Sequence, residues 1–388
     1  MLVPAVLIAF AASVAPHHRA STPAEQVLRC SMISDSISVP LRIVAGRPVL
    51  DVRIDGRGPY SLLLDTGAHG HVFDLALARE LQLPLGKAVG VASPGGHGIQ
   101  ARLATVDRLE IGGLEVHGAT GAVVEGLPFP PGPDAPRGIL SPYQLGDVLV
   151  TLDYPHSQAR FTRGALPEPD GRDVFGWDAG QELPQIPVSI AGRALRVHLD
   201  SGAQGGVSVP VSFADSLPLS TPVAEVGRAR TMDRELVIRG AKLAGTVQLG
   251  RYTLENPDVV FVDLLEHVGN IGPALLQQFA ITIDAAHSRL ELDGPPDGRL
   301  RAANAQPRRY GIRFTALDAA PFEVVGVDPG SPADRGGVRT GDRILTMNGR
   351  PVDSLDVQGR LQALRASPLH LRVKRGDATL PLELSLEP

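Results

Sequence analysis

Three observations on this 388-residue chain predict a mainly β protein built of two related lobes and a small third module of mixed strands and helices. The segment Leu64-Asp65-Thr66-Gly67-Ala68 returns far downstream as Leu199-Asp200-Ser201-Gly202-Ala203. Short runs such as Leu50-Val52-Ile54 and Leu195-Val197-Leu199 alternate between Gly and Pro punctuation, which is the pattern of half-buried strands rather than of helices. Residues 308–388 carry strand, short-helix and turn signals of their own.

The duplication extends beyond the motif. Asp65 to Val72 aligns without a gap on Asp200 to Val207, Val52-Arg53-Ile54-Asp55-Gly56 corresponds to Val188-Ser189-Ile190-Ala191-Gly192, and Val150 to Ser157 corresponds to Ile281 to Ser288. Solenoid arrays need three or more units with periods of about 20–50 residues, so this longer pair reads as a duplicated domain.

The elements follow in order. Residues 1–15 read as a signal peptide, because the apolar run Leu2 to Ala12 is too short to span a bilayer and Ser13-Val14-Ala15 offers small residues for cleavage, although a basic leading segment is missing. Residues 16–35 form a polar leader containing His17 and His18, and the first lobe is expected at 36–164. Residues 165–182 read as a linker, since Ala165-Leu166-Pro167-Glu168-Pro169-Asp170-Gly171 suits neither a strand nor a core. The second lobe is expected at 183–293, a second linker at 294–307, and the C-terminal module at 308–388.

Composition narrows the function. A hydrophobic content of 43% supports ordinary cores, and a net charge of −5 with interspersed signs leaves no basic stripe for nucleic acid. Cys30 is the single cysteine, which excludes an intramolecular disulfide and any multi-cysteine metal site. His69 and His71 flank Gly70 just after the first motif, but Gln204 and Gly206 stand at their counterparts, so no metal site is expected, and no cofactor. His97 reads as a solvated loop residue, while His156 and His287, beside Asp153 and Asp284, suggest a shared turn role. No Gly-x-Ser-x-Gly elbow, His-Glu-x-x-His helix or glycine-rich phosphate loop occurs.

The two motifs, each preceded by an apolar strand (Leu62-Leu63-Leu64 and Val197-His198-Leu199), resemble those of the aspartic protease family, and the alanine after the glycine resembles its retropepsin-like branch. The resemblance runs from about Val49 to Leu292. It implies two pseudo-symmetric acid-protease β-barrel lobes fused in one chain, with Asp65 and Asp200 as a catalytic dyad. Thr66, Gly67, Ser201 and Gly202 would support that dyad, the glycines by allowing close approach and the hydroxyls by bonding between lobes. Two carboxyls so close share one proton, so that one takes a proton from water while the other gives one to the scissile carbonyl. The family packs a hydrophobic-hydrophobic-Gly segment under each loop. Asn270-Ile271-Gly272 answers to it with Asn270 in an apolar position, and Ile139-Leu140-Ser141 with Ser141 in place of glycine, so packing in the first lobe must differ. A flap over the cleft is expected at Gly95, Gly96, His97 and Gly98, and the second lobe lacks a glycine run at the corresponding place.

The C-terminal run from Val324 through Ser331-Pro332-Ala333 to Gly341-Asp342 and Asn348-Gly349 resembles a bacterial PDZ domain. That resemblance implies that Gly311, Ile312, Arg313 and Phe314 accept a peptide or chain terminus by strand addition. The expected function is therefore an aspartic endopeptidase acting on polypeptide substrates, with a PDZ module that recruits substrate or partner. The alternative is an inactive protease-fold scaffold that binds peptides. A monomer is expected because both half-sites lie in one chain, as is export to the bacterial periplasm or the exterior with no membrane span after cleavage.

Overall fold

The computed structural model describes residues 29–44, 46–91, 99–127, 129, 135–178, 180–181, 183–230, 235–263, 265, 267–301, 310–314, 321–327, 330–355, 357–364 and 366–386. It is mainly β, in two compact units. The larger unit holds both lobes, and the smaller holds the C-terminal module.

Each lobe carries its motif at the end of a hairpin. Arg47–Ile54 pairs with Arg57–Leu64 around Asp55-Gly56, and Ile186–Ile190 pairs with Arg193–Leu199 around Ala191-Gly192. All four turn residues have positive φ, between 49° and 81°, the conformation that matches a two-residue turn to the twist of its strands. Beyond the motif the chain re-enters the sheet as His71–Asp74 in lobe 1 and Val207–Pro210 in lobe 2. A third strand, Gly138–Leu140 or Val268–Ile271, lies between the incoming and outgoing strands, parallel to one and antiparallel to the other. Its carbonyls receive the motif backbone equivalently, with Asp65 N–H donating to Leu140 O at 3.0 Å and Asp200 N–H to Ile271 O at 2.9 Å.

A six-stranded sheet joins the lobes. Its central strands, Leu149–Asp153 and Ala280–Asp284, are duplicated segments paired antiparallel about Thr151 and Thr282, whose hydroxyls lie 3.0 Å apart. These two threonines mark the pseudo-two-fold axis. The turns that follow are equivalent as well, His156 Nδ1 meeting Asp153 Oδ1 at 2.8 Å and His287 Nδ1 meeting Asp284 Oδ1 at 2.9 Å. One continuous apolar core, including Leu62, Phe73, Leu152, Val197, Phe279 and Ile283, runs through both lobes.

Segments expected to connect or precede the lobes also contain strands. Within 165–182, Val174–Gly176 pairs with Arg289–Asp293 and buries Val174 and Phe175. In the leader, Arg29–Met32 pairs with residues 114–117, and in 294–307, Arg299–Leu300 pairs with Thr253 and Leu254. Proline and glycine mark where the chain changes direction; they do not stop a flanking apolar residue from finding a free sheet edge.

The smaller unit pairs Ile312–Phe314 with Val324–Val327 and joins Arg343–Met347, Arg350–Pro351, Leu369–Arg375 and Ala378–Leu384 in a second sheet. Asn348 and Gly349, at φ 47° and 78°, turn the Met347–Arg350 hairpin. Ser331 caps the helix Pro332–Arg335 by accepting from Asp334 N–H at 3.2 Å, with proline at the first helical position where its missing N–H costs nothing. Its core is separate and contains Tyr310, Phe322, Val324, Ile344, Met347 and Leu371. Among the described residues no helix is long and apolar enough to cross a membrane.

Candidate active site

The motif loops of the two lobes meet back to back. Thr66 Oγ1 donates to Leu199 O at 2.7 Å and accepts from Ser201 N–H at 2.9 Å, while Ser201 Oγ donates to Leu64 O at 2.7 Å and accepts from Thr66 N–H at 2.9 Å. Each hydroxyl donates one bond and accepts one, both with the opposite lobe's backbone on either side of its aspartate. Four buried bonds of about 1 kcal/mol each hold the aspartates in a fixed relation.

The carboxyls lie side by side. Gly202 N–H donates at once to Asp65 Oδ1 at 3.2 Å and to Asp200 Oδ1 at 3.0 Å. Gly67 N–H adds a bond to Asp65 Oδ1 at 2.8 Å, and Ala203 N–H adds one to Asp200 Oδ1 at 2.8 Å. Glycine is required in both loops by this approach: a Cβ on Gly67 would sit 2.6 Å from the Asp200 carboxyl, and one on Gly202 would sit 2.3 Å from Asp65 Oδ2. Burial and then the charge of Asp200 push the Asp65 carboxyl well above the usual carboxylate range, and burial pushes Asp200 up to about 6. Two buried acids this close hold one proton between them near neutral pH.

The site contains three groups that the motif did not announce. Arg47, 2% exposed, begins the first-lobe hairpin where the second lobe has Leu183, and its Nε donates to Gly202 O at 2.6 Å. Burial lowers its pKa to about 10, so it stays cationic beside the dyad and offsets the dyad's single negative charge. Asn270 donates through Nδ2 to Asp200 Oδ2 at 3.0 Å. Tyr143 donates to Thr66 O at 2.8 Å and meets the Trp177 ring edge-on at 6.2 Å. An arginine heading a strand whose other buried positions are apolar was the available signal for Arg47, and Asn270 was visible as a departure from the apolar pattern.

Ser141 is accommodated by a second departure. In lobe 2, Gly272 N–H donates to Gly206 O at 2.7 Å, and a Cβ on Gly272 would lie 2.6 Å from Gly205 O. In lobe 1 the counterpart of Gly206 is His71, whose ring accepts Ser141 N–H at Nδ1 (3.1 Å) and so must donate from Nε2 to Gln144 O (3.1 Å). Ser141 Oγ then donates to His69 O at 3.0 Å. His71 thus holds the strand under the first loop as a buried neutral imidazole.

Burial pushes the His71 pKa down to about 4 from its ordinary 6.5. Between those values the unfolded chain binds the extra proton, so stability must fall as pH drops through the window. The slope is at most ~1.4 kcal/mol per pH unit, or about 3 kcal/mol in all. The raised dyad carboxyls act in the opposite sense. Urea unfolding at about pH 7 and about pH 4.5 should therefore show a larger acid loss for the wild type than for His71→Asn, and equal losses would remove this role.

The expected flap residues Gly95, Gly96, His97 and Gly98 lie outside the described residues; the strands on either side, Ala88–Val91 and Ile99–Ile111, pair antiparallel. In the smaller unit Gly311 has φ 73°, Ile312 lies opposite Val327, and Phe314 is buried with its ring stacked on Phe322 at 4.6 Å. Phe314 is therefore a core residue of its unit; of Arg313 only the backbone is described.

Two homologous β lobes that each bring one Asp-Thr/Ser-Gly loop to a shared buried carboxyl pair define a bilobal acid-protease fold. The comparisons with known proteins agree: the aspartyl protease family model matches residues 50–142 and again 186–276, and the PDZ domain model matches 323–375. The chain consists of two fused retropepsin-like aspartyl protease lobes followed by a PDZ domain. It is 45% identical over 62 residues to the human serine protease HTRA3, an alignment covering 16% of this chain and 13% of that protein. Among solved structures, an HtrA3 PDZ domain bound to a phage-derived ligand is 39% identical, covering 20% of this chain and 82% of that one with a TM-score of 0.17. A PDZ domain protein from Parabacteroides distasonis is 18% identical, covering 20% of this chain and 19% of that one with a TM-score of 0.19.

Proposed function

We propose that the chain is an aspartic endopeptidase in which Asp65 and Asp200 activate a water for attack on a peptide carbonyl. The observation that supports this best is the Gly202 N–H shared by both carboxyls, which puts two acids within reach of one water. The ionised member takes a proton from that water as it adds to the carbonyl carbon, and the protonated member gives its proton to the carbonyl oxygen; the tetrahedral adduct then collapses with proton transfer to the leaving nitrogen. Arg47 holds the motif backbone and balances the dyad charge, and Thr66 and Ser201 fix the distance between the carboxyls.

The PDZ domain is read as a recruiting module that binds a chain terminus along Ile312–Phe314 and raises the local concentration of its carrier at the dyad. The apolar opening segment supports export, and both half-sites in one chain support activity as a monomer.

The test is cleavage of an unfolded polypeptide by the purified full chain. Activity should rise through about pH 6 as the dyad loses its first proton, persist at neutral pH, and be inhibited by a hydroxyl isostere of the tetrahedral adduct. Deleting 308–388, in a product shown to be folded, should spare short peptides and lower kcat/KM about tenfold or more for proteins with a recognised terminus. Measurable peptide affinity without cleavage from about pH 3 to about pH 9 would establish the inactive scaffold instead.

A further inference from the structure

We propose that Asn270 is a positioning residue that breaks the equivalence of the two carboxyls, holding Asp200 as the carboxylate that takes the proton from water and leaving Asp65 as the acid that protonates the scissile carbonyl. The proposal rests on the reading of the dyad as hydrolytic, but its physical core concerns only where the shared proton resides.

The two motif loops correspond through the reciprocal Thr66 and Ser201 bonds, and among the departures between the lobes Asn270 is the one that places a side-chain donor on a dyad carboxyl. It stands on Val268–Ile271 opposite His198, as Ile139 stands on Gly138–Leu140 opposite Leu63. Ile139 has no polar atom to offer Asp65, whereas Asn270, 7% exposed, donates through Nδ2 to Asp200 Oδ2 at 3.0 Å. Asp200 thereby has a donor on each oxygen: Gly202 and Ala203 N–H on Oδ1, and the amide on Oδ2. Asp65 has backbone donors on Oδ1 alone, and its buried Oδ2 has no partner.

An amide nitrogen can only donate, and its bond is stronger to an ionised oxygen than to a protonated one, so the amide favours the carboxylate form of Asp200. The oxygen free to carry the proton is Asp65 Oδ2. The reversed amide would set its own oxygen against Asp200 and invert the assignment, so the two arrangements predict opposite titrations.

The other charged or titratable groups around the pair do not make this choice. Arg47 acts on both carboxyls from the first-lobe hairpin, Tyr143 and Tyr154 are kept neutral by burial, and His198 is held through Nδ1 by Pro184 O at 2.9 Å.

The experiment follows the carboxyl carbons of [13C]Asp-labelled full-length protein across pH by NMR, assigned with Asp65→Asn and Asp200→Asn, beside the pH profile of kcat/KM. In the wild type the first proton should leave Asp200. Asn270→Leu should raise that titration and the acidic limb of the rate profile together, by about one pH unit. Ile139→Asn, which gives Asp65 the mirror-image donor, should narrow the separation between the two carboxyls, and it remains the test if Asn270→Leu does not fold. An unchanged separation in the variant that folds, or first ionisation at Asp65 in the wild type, would overturn the proposal. A wild type that shows the expected carboxyl titrations but cleaves nothing would refute the hydrolytic reading alone.

Discussion

Asp65→Asn should lower kcat/KM for an unstructured peptide by at least about a thousandfold with the fold retained, and Asp200→Asn should do the same. A positioned acid or base contributes about 10²–10⁴-fold, and here one proton serves both functions, so removing either carboxyl removes the pair. Asn keeps the shape of the side chain and can still accept the Gly202 N–H, so the interlobe bonds of Thr66 and Ser201 should survive. Groups that act as a unit are strongly non-additive, and the double variant should therefore lose little more than either single one. Kinetics with circular dichroism on the same samples decide the matter. Near wild-type turnover in either single variant would remove that aspartate from the chemistry, whatever its place in the fold.

Gly202→Ala should lose both activity and stability. The added Cβ would lie 2.3 Å from Asp65 Oδ2 and 2.5 Å from its Cγ, closer than any real contact, so either the carboxyl must leave or the two loops must separate. Separation would stretch the four Thr66 and Ser201 bonds, which sit on the same backbone turns. Overpacking of this kind costs about 1–3 kcal/mol, and a displacement near 1 Å at reacting groups costs about a hundredfold in rate. Gly67→Ala faces the same obstacle, at 2.6 Å from the Asp200 carboxyl. Gly90→Ala, where nothing lies within 4 Å, should leave the unfolding midpoint in place. Denaturant unfolding beside kcat/KM checks all three, and an unperturbed Gly202→Ala enzyme would mean that the loops approach less closely than these contacts require.

His71 and Ser141 show how legible the site was before the fold was seen. Each is a visible departure from its counterpart, Gly206 and Gly272, yet nothing in their spacing says that one answers the other. Their partnership depends on a ring nitrogen facing a backbone N–H 70 residues away. The strand segments in the leader and linkers were missed for a similar reason, since pairing to a distant sheet edge is not encoded in the residues that pair.

Local and repeated properties were set by the amino-acid sequence alone: the β character by alternation, the lobe pair by the repeated motif and flanks, the turns by Asp55-Gly56, Ala191-Gly192 and Asn348-Gly349, and the C-terminal module by its punctuation. Those properties depend on residues near in sequence or on a direct match between two segments. The tertiary structure alone decided that Arg47 enters a site it does not adjoin in sequence, that Asn270 bonds one carboxyl while Ile139 ignores the other, and that one Gly202 N–H serves both aspartates. These facts follow from the direction and burial of side chains where two lobes pack, and a sequence pattern carries neither.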